Sequence, residues 1–388
     1  MRLSQCYKTD DFRRLAKRRL PRSIFHYIDG GADDEVTLGR NTQAFDEVDL
    51  VPNVLAGVDQ VDLSTELFGR RLEMPLFMSP TAMQRLFHHD GERAIASTAE
   101  ALGTMFGVST IGTRSIEELG ALTTAPKLFQ IYVHNDAGLT SELIRRCRAA
   151  RFDALALTVD TIVAGNRERD YMTGMTTPPR LTPRSLLSFA WHAGWTYNHL
   201  RHEKFDLPNI SSAVGQGSKI ESSVVDYINQ QMKRSISWDD AAQMIAEWGG
   251  PFAIKGVMSV ADARRAVEIG ASAIMISNHG GRQLDGSRSP FDQLPAIVDA
   301  VGGEIEIIVD GGIRRGTHVL KALALGATAC SGGRLYLYAL AAAGTAGVMR
   351  AMQLLRDEIE RDMLLMGCRS LAELKPSMVA TRMRSAAP

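Results

Sequence analysis

Ala273-Ile274-Met275-Ile276-Ser277-Asn278-His279-Gly280-Gly281-Arg282-Gln283-Leu284-Asp285-Gly286 reads as a short apolar strand that breaks into a polar, glycine-rich turn. Four apolar residues without alternation suit a strand buried on both faces, as in a parallel sheet. The glycine pair lets the chain turn at positive φ without a Cβ penalty. The turn carries an imidazole and a guanidinium three residues apart. His279 can move a proton near neutral pH, and the Arg282 fork fits a carboxylate. A base beside a carboxylate clamp is what chemistry on a carboxylic acid needs. A structural turn with a hydrogen-bonded histidine is the alternative, and the surrounding pattern separates the two.

Moving outward, apolar runs of strand length recur at 76–79, 104–109, 127–133, 153–159, 251–255, 272–277, 304–309 and 328–331. Helical patterns lie between them, among them 91–102, 138–150, 238–248, 259–269, 290–301 and 314–325. Eight strand-then-helix units predict an α/β fold, a closed (β/α)8 TIM barrel, with a doubly wound open sheet second. The strand ends are polar: Pro80-Thr81, Ser109, Gln130 and Tyr132, Thr158 and Asp160, Lys255, Asn278-His279, Asp310-Gly311-Gly312, and Gly332-Gly333-Arg334. In such a barrel all of these ends converge on one face, where the active site sits. The chain is expected to form a single domain. Residues 1–75 supply N-terminal helices and a hairpin, 76–345 the barrel with an insertion at 161–236 after the fourth strand, and 346–388 a C-terminal helix and tail.

Composition narrows the function classes. The chain has 388 residues, 45% hydrophobic and 23% charged, with a formal net charge of zero. That suits a globular protein with a real core and gives no electrostatic reason to expect nucleic acid. Cys6, Cys147, Cys330 and Cys368 are scattered, with no metal-ligand spacing and no disulfide framework, which suits a reducing compartment. No signal core stands at 1–11 and no run approaches the ~20 apolar residues of a spanning helix, so a cytoplasmic location is the default expectation. Residues 10–28 read as a basic amphipathic helix broken at Pro21. The acidic Asp33-Asp34-Glu35 suits the start of another helix, and 61–74 reads as a hairpin about Phe68-Gly69-Arg70, a plug or lid for the barrel.

The interval 161–235 is too long for an ordinary connection. It contains Leu186, Leu187, Phe189, Trp191, Trp195 and Tyr197, flanked by Arg180, Arg184, Arg201 and Lys204. Trp and Tyr beside cations are what membrane interfaces favour. Peripheral contact with the inner face of the cell membrane through 180–205 is therefore one expectation. An active-site lid or a subunit interface is the other.

Ile307-Ile308-Val309-Asp310-Gly311-Gly312-Ile313-Arg314-Arg315-Gly316 runs from strand through glycines to a helix start, and Ser331-Gly332-Gly333-Arg334 repeats the pattern at the eighth strand. Backbone N–H groups there make a phosphate cradle, with Arg314 and Arg334 adding charge. No Walker lysine and no GxGxxG ties that phosphate to ATP or NAD.

The 277–286 and 310–316 stretches, with Leu157-Thr158-Val159-Asp160, Gln130-Ile131-Tyr132 and Pro80-Thr81-Ala82-Met83, resemble the FMN-dependent L-2-hydroxy acid oxidases and dehydrogenases. The likeness runs from Leu20-Pro21 to Gly367-Cys368-Arg369-Ser370. It implies an FMN cofactor, a small 2-hydroxy carboxylate substrate oxidised to the 2-oxo acid, and a homo-oligomer. His279 then matches the base, Asp160 the carboxylate that supports it as an imidazolium, and Arg282 the substrate clamp. Tyr27, Tyr132 and Arg167 match further substrate contacts. Lys255 matches the lysine beside the flavin N1/O2 edge; Ser109, Gln130 and Thr158 match ring contacts, and Pro80, Thr81 and Ala82 the backbone near N5. Gly311, Gly312, Arg314, Gly333 and Arg334 match phosphate contacts, and Ser277 and Asp310 stand in the same cofactor motifs.

One departure concerns the substrate. Ala164 stands where plant-type glycolate oxidases carry leucine, and Ile111 replaces an aromatic residue. Both changes leave room for L-lactate or a larger alkyl or aryl 2-hydroxy acid. The aromatic insertion tilts the expected electron acceptor toward a quinone of the respiratory chain. The alternatives are an oxidase forming hydrogen peroxide, a flavin isomerase or peptide-modifying enzyme on the same barrel, and a non-catalytic barrel binding a phosphate ligand.

Overall fold

Before the barrel, the basic segment folds as two helices, Thr9–Arg19 and Arg22–Asp29, and the break falls at Pro21. This computed structural model describes residues 1–175, 183–210 and 232–382. Phe12, Leu15, Ile24, Phe25 and Ile28 are buried on the inner face of the helix pair. Arg13 forks onto Asp29 at 2.5 and 2.9 Å, so part of the basic run binds the two helices together. A third helix, Val36–Asp46, follows the acidic stretch as expected.

The apolar runs form eight parallel strands: β1 (Leu76–Thr81), β2 (Phe106–Ser109), β3 (Lys127–Ile131), β4 (Ala154–Thr158), β5 (Phe252–Val257), β6 (Ala273–Ile276), β7 (Glu306–Asp310) and β8 (Ala329–Gly332). Each pairs with its sequence neighbour, and β8 pairs with β1 through Cys330 and Leu76, which closes the barrel. Strands buried on both faces have no reason to alternate, which is why each reads as a continuous apolar run. Phe77, Leu128, Ala156, Met275 and Ile308 fill the interior.

The hairpin pairs Thr65–Leu67 with Arg70–Leu72 around a Phe68-Gly69 turn, and Arg70 is already in its second strand. Phe68 and Gly69 both have positive φ, as a tight two-residue hairpin requires. Leu67, Phe68 and Leu72 join the interior cluster. The Phe68 N–H reaches the Glu306 carboxylate at 3.0 Å, at the amino end of β7. The hairpin is thus a plug at the closed end of the barrel and not a lid.

The expected covering helices are present, and Ile116–Leu122 and Arg334–Met366 complete the ring. The latter is long and apolar enough to cross a membrane, yet it is mostly buried against the barrel and the first helix. It bends at Ala343 and Gly344, whose backbone is not helical. In the insertion, Glu168–Thr173, Pro183–Trp191 and Ala193–Arg201 are helical. Arg180 and the Pro178-Pro179 pair lie outside the described residues.

Candidate active site

All eight strands point their carboxyl ends at one cavity of about 1290 Å3, part of it open to solvent. Tyr132, Lys255, His279, Arg282, Arg314 and Arg334 all line it. Residues as far apart in sequence as Tyr27 and Arg334 therefore share one chamber.

His279 follows β6 in left-handed backbone, φ 57°, a conformation that costs a non-glycine residue ~1 kcal/mol. Its N–H donates to Ser277 Oγ at 3.2 Å, and Asn278 is locked by a reciprocal amide pair with Asn41 at 2.7 and 2.8 Å. Gly281 packs so closely on the Val36–Asp46 helix that a Cβ would stand 2.6 Å from Leu38 N. The turn is held rigidly from outside the barrel. His279 Nδ1 lies 3.1 Å from Asp160 Oδ1. With that nitrogen donating to the carboxylate, Nε2 of the neutral ring keeps its lone pair. Asp160 stands this close because β5 bulges at Gly256, φ 109°, where a Cβ would meet Asp160 Cβ at 2.8 Å.

Lys255 is buried at the end of β5, 2.9 Å from Asp310 Oδ2 and 3.0 Å from Ser277 Oγ. Ser277 also donates to Asp310 Oδ2, while Ser79 and Ser331 each donate to Oδ1, all at 2.8 Å. Burial alone would raise the Asp310 carboxyl, but the Lys255 charge and these hydrogen bonds outweigh it and hold it below the usual carboxylate range. For Lys255 burial opposes the charge, and Asp310 and Asp160 together carry it upward. The sequence groups Asp310 with the phosphate glycines. It lines the cavity with them, and its carboxylate faces the lysine and three serines, which holds Lys255 in place.

Arg282, Arg314 and Arg334 line the cavity and donate to backbone carbonyls, with no carboxylate ion pair among the described residues. Arg282 donates to the Tyr27 and Gly30 carbonyls at 2.6 and 3.2 Å and lies over the Tyr27 ring at 4.9 Å. Arg167 approaches the same ring at 5.5 Å and pairs with Asp170 at 3.5 Å. Burial, and then the neighbouring Arg167, bring Arg282 down to about 10, which leaves it charged at neutral pH. Arg314 donates to the Ile313 carbonyl at 2.8 Å. Arg334 donates to Ile28, Gly280 and Gly30 carbonyls at 2.7–2.8 Å, tying the N-terminal segment to the His279 turn. Buried cations without counter-charges are costly, and together they make an anion site. Burial, aided by the nearby Asp160, pushes the Tyr132 phenol up, so it stays a neutral donor.

The barrel interior has unsatisfied polar atoms at the same level. Ser109 Oγ donates to Gln130 Oε1 at 2.9 Å, yet Gln130 Nε2, Thr158 Oγ1 and Asp160 Oδ2 are buried with no partner. Orphaned donors and acceptors beside a buried lysine, next to unpaired arginines, fit a cofactor with a polar ring edge and a phosphate. FMN has both. Pro80, Thr81, Ala82, Gly311 and Gly333 line the cavity as well. Gly312 has a second reason to be glycine, since a Cβ would stand 1.9 Å from the Asn41 carbonyl.

Sequence reasoning missed several cavity residues. Phe87 and Met232 form part of an apolar wall with Met83, Ile111 and Ala164. Met232 comes from the far end of the insertion, and no spacing signal connects it to the barrel. Gln283 donates to the Asp160 and Val163 carbonyls at 2.8 Å, coupling the histidine turn to the loop after β4.

Residues 16–381 match the family described as FMN-dependent dehydrogenase. The chain is 40% identical over 373 residues to L-lactate dehydrogenase of Vibrio cholerae serotype O1, covering 96% of this chain and 98% of that one. It is 38% identical to glycolate oxidase of Spinacia oleracea over 96% of this chain and 95% of the oxidase. The solved structure of the monotopic membrane protein (S)-mandelate dehydrogenase superposes with a TM-score of 0.92 at 31% identity, covering 97% of this chain and all of that one. With its closed barrel and a mouth lined by His279, Lys255 and buried arginines, the chain belongs to the FMN-dependent dehydrogenase family, flavoenzymes that use FMN to oxidise 2-hydroxy acids.

Proposed function

We propose that this enzyme oxidises L-lactate or an (S)-2-hydroxy acid with a larger alkyl or aryl side chain, and that its electrons pass to a membrane quinone. The observation that carries the substrate reading is the apolar wall of Met83, Ile111, Ala164 and Met232 in the same cavity as His279 and Arg282. A glycolate hydrogen would leave that wall uncovered, whereas a methyl, alkyl or phenyl group buries against it at ~25 cal/mol per Å².

In this reading Arg282 forks onto the substrate carboxylate, Arg167 adds charge beside it, and Tyr27 packs under both guanidinium groups. Tyr132 donates a hydrogen bond to the substrate oxygen. His279 Nε2 takes the proton, and Asp160 stabilises the imidazolium through Nδ1. When bound, FMN supplies the acceptor for the two electrons released at the substrate carbon. Lys255 offers a fixed positive charge to the reduced ring, and Asp310 holds that charge in place. Gln130, Thr158, Ser109, Ser277 and the Pro80-Thr81-Ala82 backbone would surround the ring. Arg314, Arg334, Gly311, Gly312 and Gly333 would hold the phosphate.

The acceptor reading rests on the insertion. Leu187, Trp191, Tyr197 and Leu200 are 67, 85, 61 and 78% exposed. Their spacing is i,i+4 on one helix and i,i+3 on the next, so each pair shares a face. Phe189 and Trp195 turn inward instead, with Trp195 Nε1 donating to the Leu86 carbonyl at 2.9 Å. An apolar face bearing Trp and Tyr beside Arg201 suits the membrane surface, and the related (S)-mandelate dehydrogenase is described as monotopic. Anaerobic reduction of the flavin by a panel of L-2-hydroxy acids, then exposure to oxygen or a soluble quinone, tests both halves. Faster reduction by lactate or mandelate than by glycolate, and reoxidation by quinone over oxygen, is expected. Preference for glycolate would overturn the substrate reading, and fast oxygen consumption with peroxide release would make the enzyme an oxidase.

A further inference from the structure

Two segments that carry proposed substrate contacts meet at the barrel mouth. One is the helix Arg22–Asp29, which carries Tyr27, with the turn at 30–35 that follows it. The other is the loop after β4, which runs through Gly165 and Arg167 into the short helix Glu168–Thr173. The Arg167 guanidinium lies 5.5 Å from the centre of the Tyr27 ring. Two residues further along each segment, Arg169 Nη1 donates to Asp29 Oδ2 at 3.1 Å. Arg169 Nη2 donates to the Glu35 carboxylate, whose other oxygen accepts from the Gly31 N–H at 2.8 Å. The Asp33 N–H donates to the Asn166 carbonyl at 2.8 Å, and Asn166 Nδ2 returns a bond to Asp33 Oδ1 at the same distance.

The chemistry above uses neither Arg169 nor these carboxylates, and charge balance does not explain the arginine. Asp29 is buried, Arg13 already forks onto it, and the Tyr338 hydroxyl donates to Oδ1 at 2.9 Å. A second, half-buried guanidinium adds little to such a carboxylate. What it adds is a connection, because its fork ends on two carboxylates that bracket the 30–35 turn. Its stem is fitted there as well, since a Cβ on Gly30 would stand 3.4 Å from Arg169 Cδ. Arg167 is the residue from which the Glu168–Thr173 helix starts, and its carbonyl accepts from the Asp170 N–H at 3.0 Å. Anchoring Arg169 therefore fixes the backbone that carries Arg167. On its other flank the loop lies hard against the histidine turn, where a Cβ on Gly165 would stand 2.3 Å from the Arg282 carbonyl.

We propose that Arg169 is a positioning residue for the substrate clamp. It staples the loop after β4 to the 30–35 turn and so holds Arg167 over Tyr27 before substrate arrives. The clamp is then ordered in advance, and binding does not have to order it. Arg169 does not line the cavity itself and acts through Arg167. The inference rests on the reading of Arg167 as a substrate contact.

The test compares FMN-loaded Arg167→Met, Arg169→Met and the double variant by steady-state kinetics, and by titration with oxalate followed in the flavin absorbance. Arg167→Met should raise KM for the hydroxy acid at least about tenfold. Arg169→Met should raise KM and the oxalate Kd about three- to tenfold, the cost of ordering one loose side chain on binding. Its kcat and FMN content should not change. In the double variant Arg169→Met should add nothing, since the side chain it acts through is already gone. Asn166→Ala, which cuts the second bond of the staple, should move KM in the same direction. Arg169→Lys keeps a cation for one of the two carboxylates and should lose less than Arg169→Met. An effect of Arg167→Met with none of Arg169→Met would overturn the positioning role and leave the substrate reading standing. No effect of Arg167→Met would overturn both. Full additivity in the double variant, or loss of FMN from Arg169→Met, would make Arg169 a structural residue only.

Discussion

Arg282 and Lys255 are both cations in the barrel mouth, yet their surroundings give them different work. Arg282 meets only carbonyls and the Tyr27 face, so its charge is available to a ligand. Arg282→Met should raise KM for the hydroxy acid by roughly 100-fold, the scale of losing one partner of a desolvated ion pair, with FMN still bound; steady-state kinetics would check it, and an unchanged KM would remove Arg282 from the clamp. Lys255 is committed to Asp310. Removing it with Lys255→Met strands a buried carboxylate and should cost ~3–5 kcal/mol in urea unfolding at pH 7. The pH dependence follows from the shifts. Asp310 is held below its unfolded value of ~3.9, so its contribution is complete above about pH 4 and lost as pH falls through the folded value. Lys255 is raised above ~10.4, so its contribution is complete below that and lost only in stronger alkali. The deficit of the variant should therefore narrow on acidification, as protonation relieves the stranded Asp310; a deficit that grows toward pH 3 would contradict the pairing. These partnerships were only partly legible in the sequence. His279 and Arg282 stand three residues apart in one turn, and their residue types announce a base and a clamp. The serine and lysine shell of Asp310 comes from four different strand ends, and only barrel closure brings it together.

At the level of elements, the eight strands were readable because a parallel barrel buries both faces and so writes each strand as an unbroken apolar run. Helices covering the barrel were readable for the complementary reason, that each must be apolar on one side only. Ile116–Leu122 escaped because seven residues span too few turns for a period to register, although Ser115 caps it by accepting from Glu118 N–H. The β5 bulge escaped too, since a single glycine in a strand does not say which neighbour needs the space. Its effect is measurable. Gly256→Ala should drive the new Cβ against Asp160 and disturb its contact with His279. Flavin reduction by substrate should slow by about 10- to 100-fold with little change in KM. FMN affinity should hold. A variant that reduces flavin at the wild-type rate would show that the bulge does not position the carboxylate.

On the scale of the whole molecule, the insertion sets the limits of sequence reading. Its composition signalled an interface, but which aromatics face out depends on docking against the barrel. Trp195 faces Leu86, while Trp191 faces solvent. Changing the outward pair, Leu187→Ser with Trp191→Ser, should weaken cosedimentation with anionic vesicles by about tenfold or more, given ~1.5–3 kcal/mol for each large apolar side chain buried. Reduction by lactate should be unaffected, and equal sedimentation of both proteins would remove this face from the membrane. The three bodies of the site, namely the N-terminal helices, the His279 turn and the Asp160 loop, are welded by Arg334, Gln283 and the Asn41–Asn278 pair. That construction would hold His279 accurately over a cofactor and beside Arg282, as the proposed mechanism requires. Anaerobic stopped-flow reduction of FMN-loaded wild type and His279→Gln by L-lactate and (S)-mandelate tests this most directly. The wild-type flavin should bleach with at least one of the two acids, and the variant should keep its flavin but reduce it about 10³-fold more slowly or less. Bleaching of the variant at the wild-type rate would contradict His279 as the base.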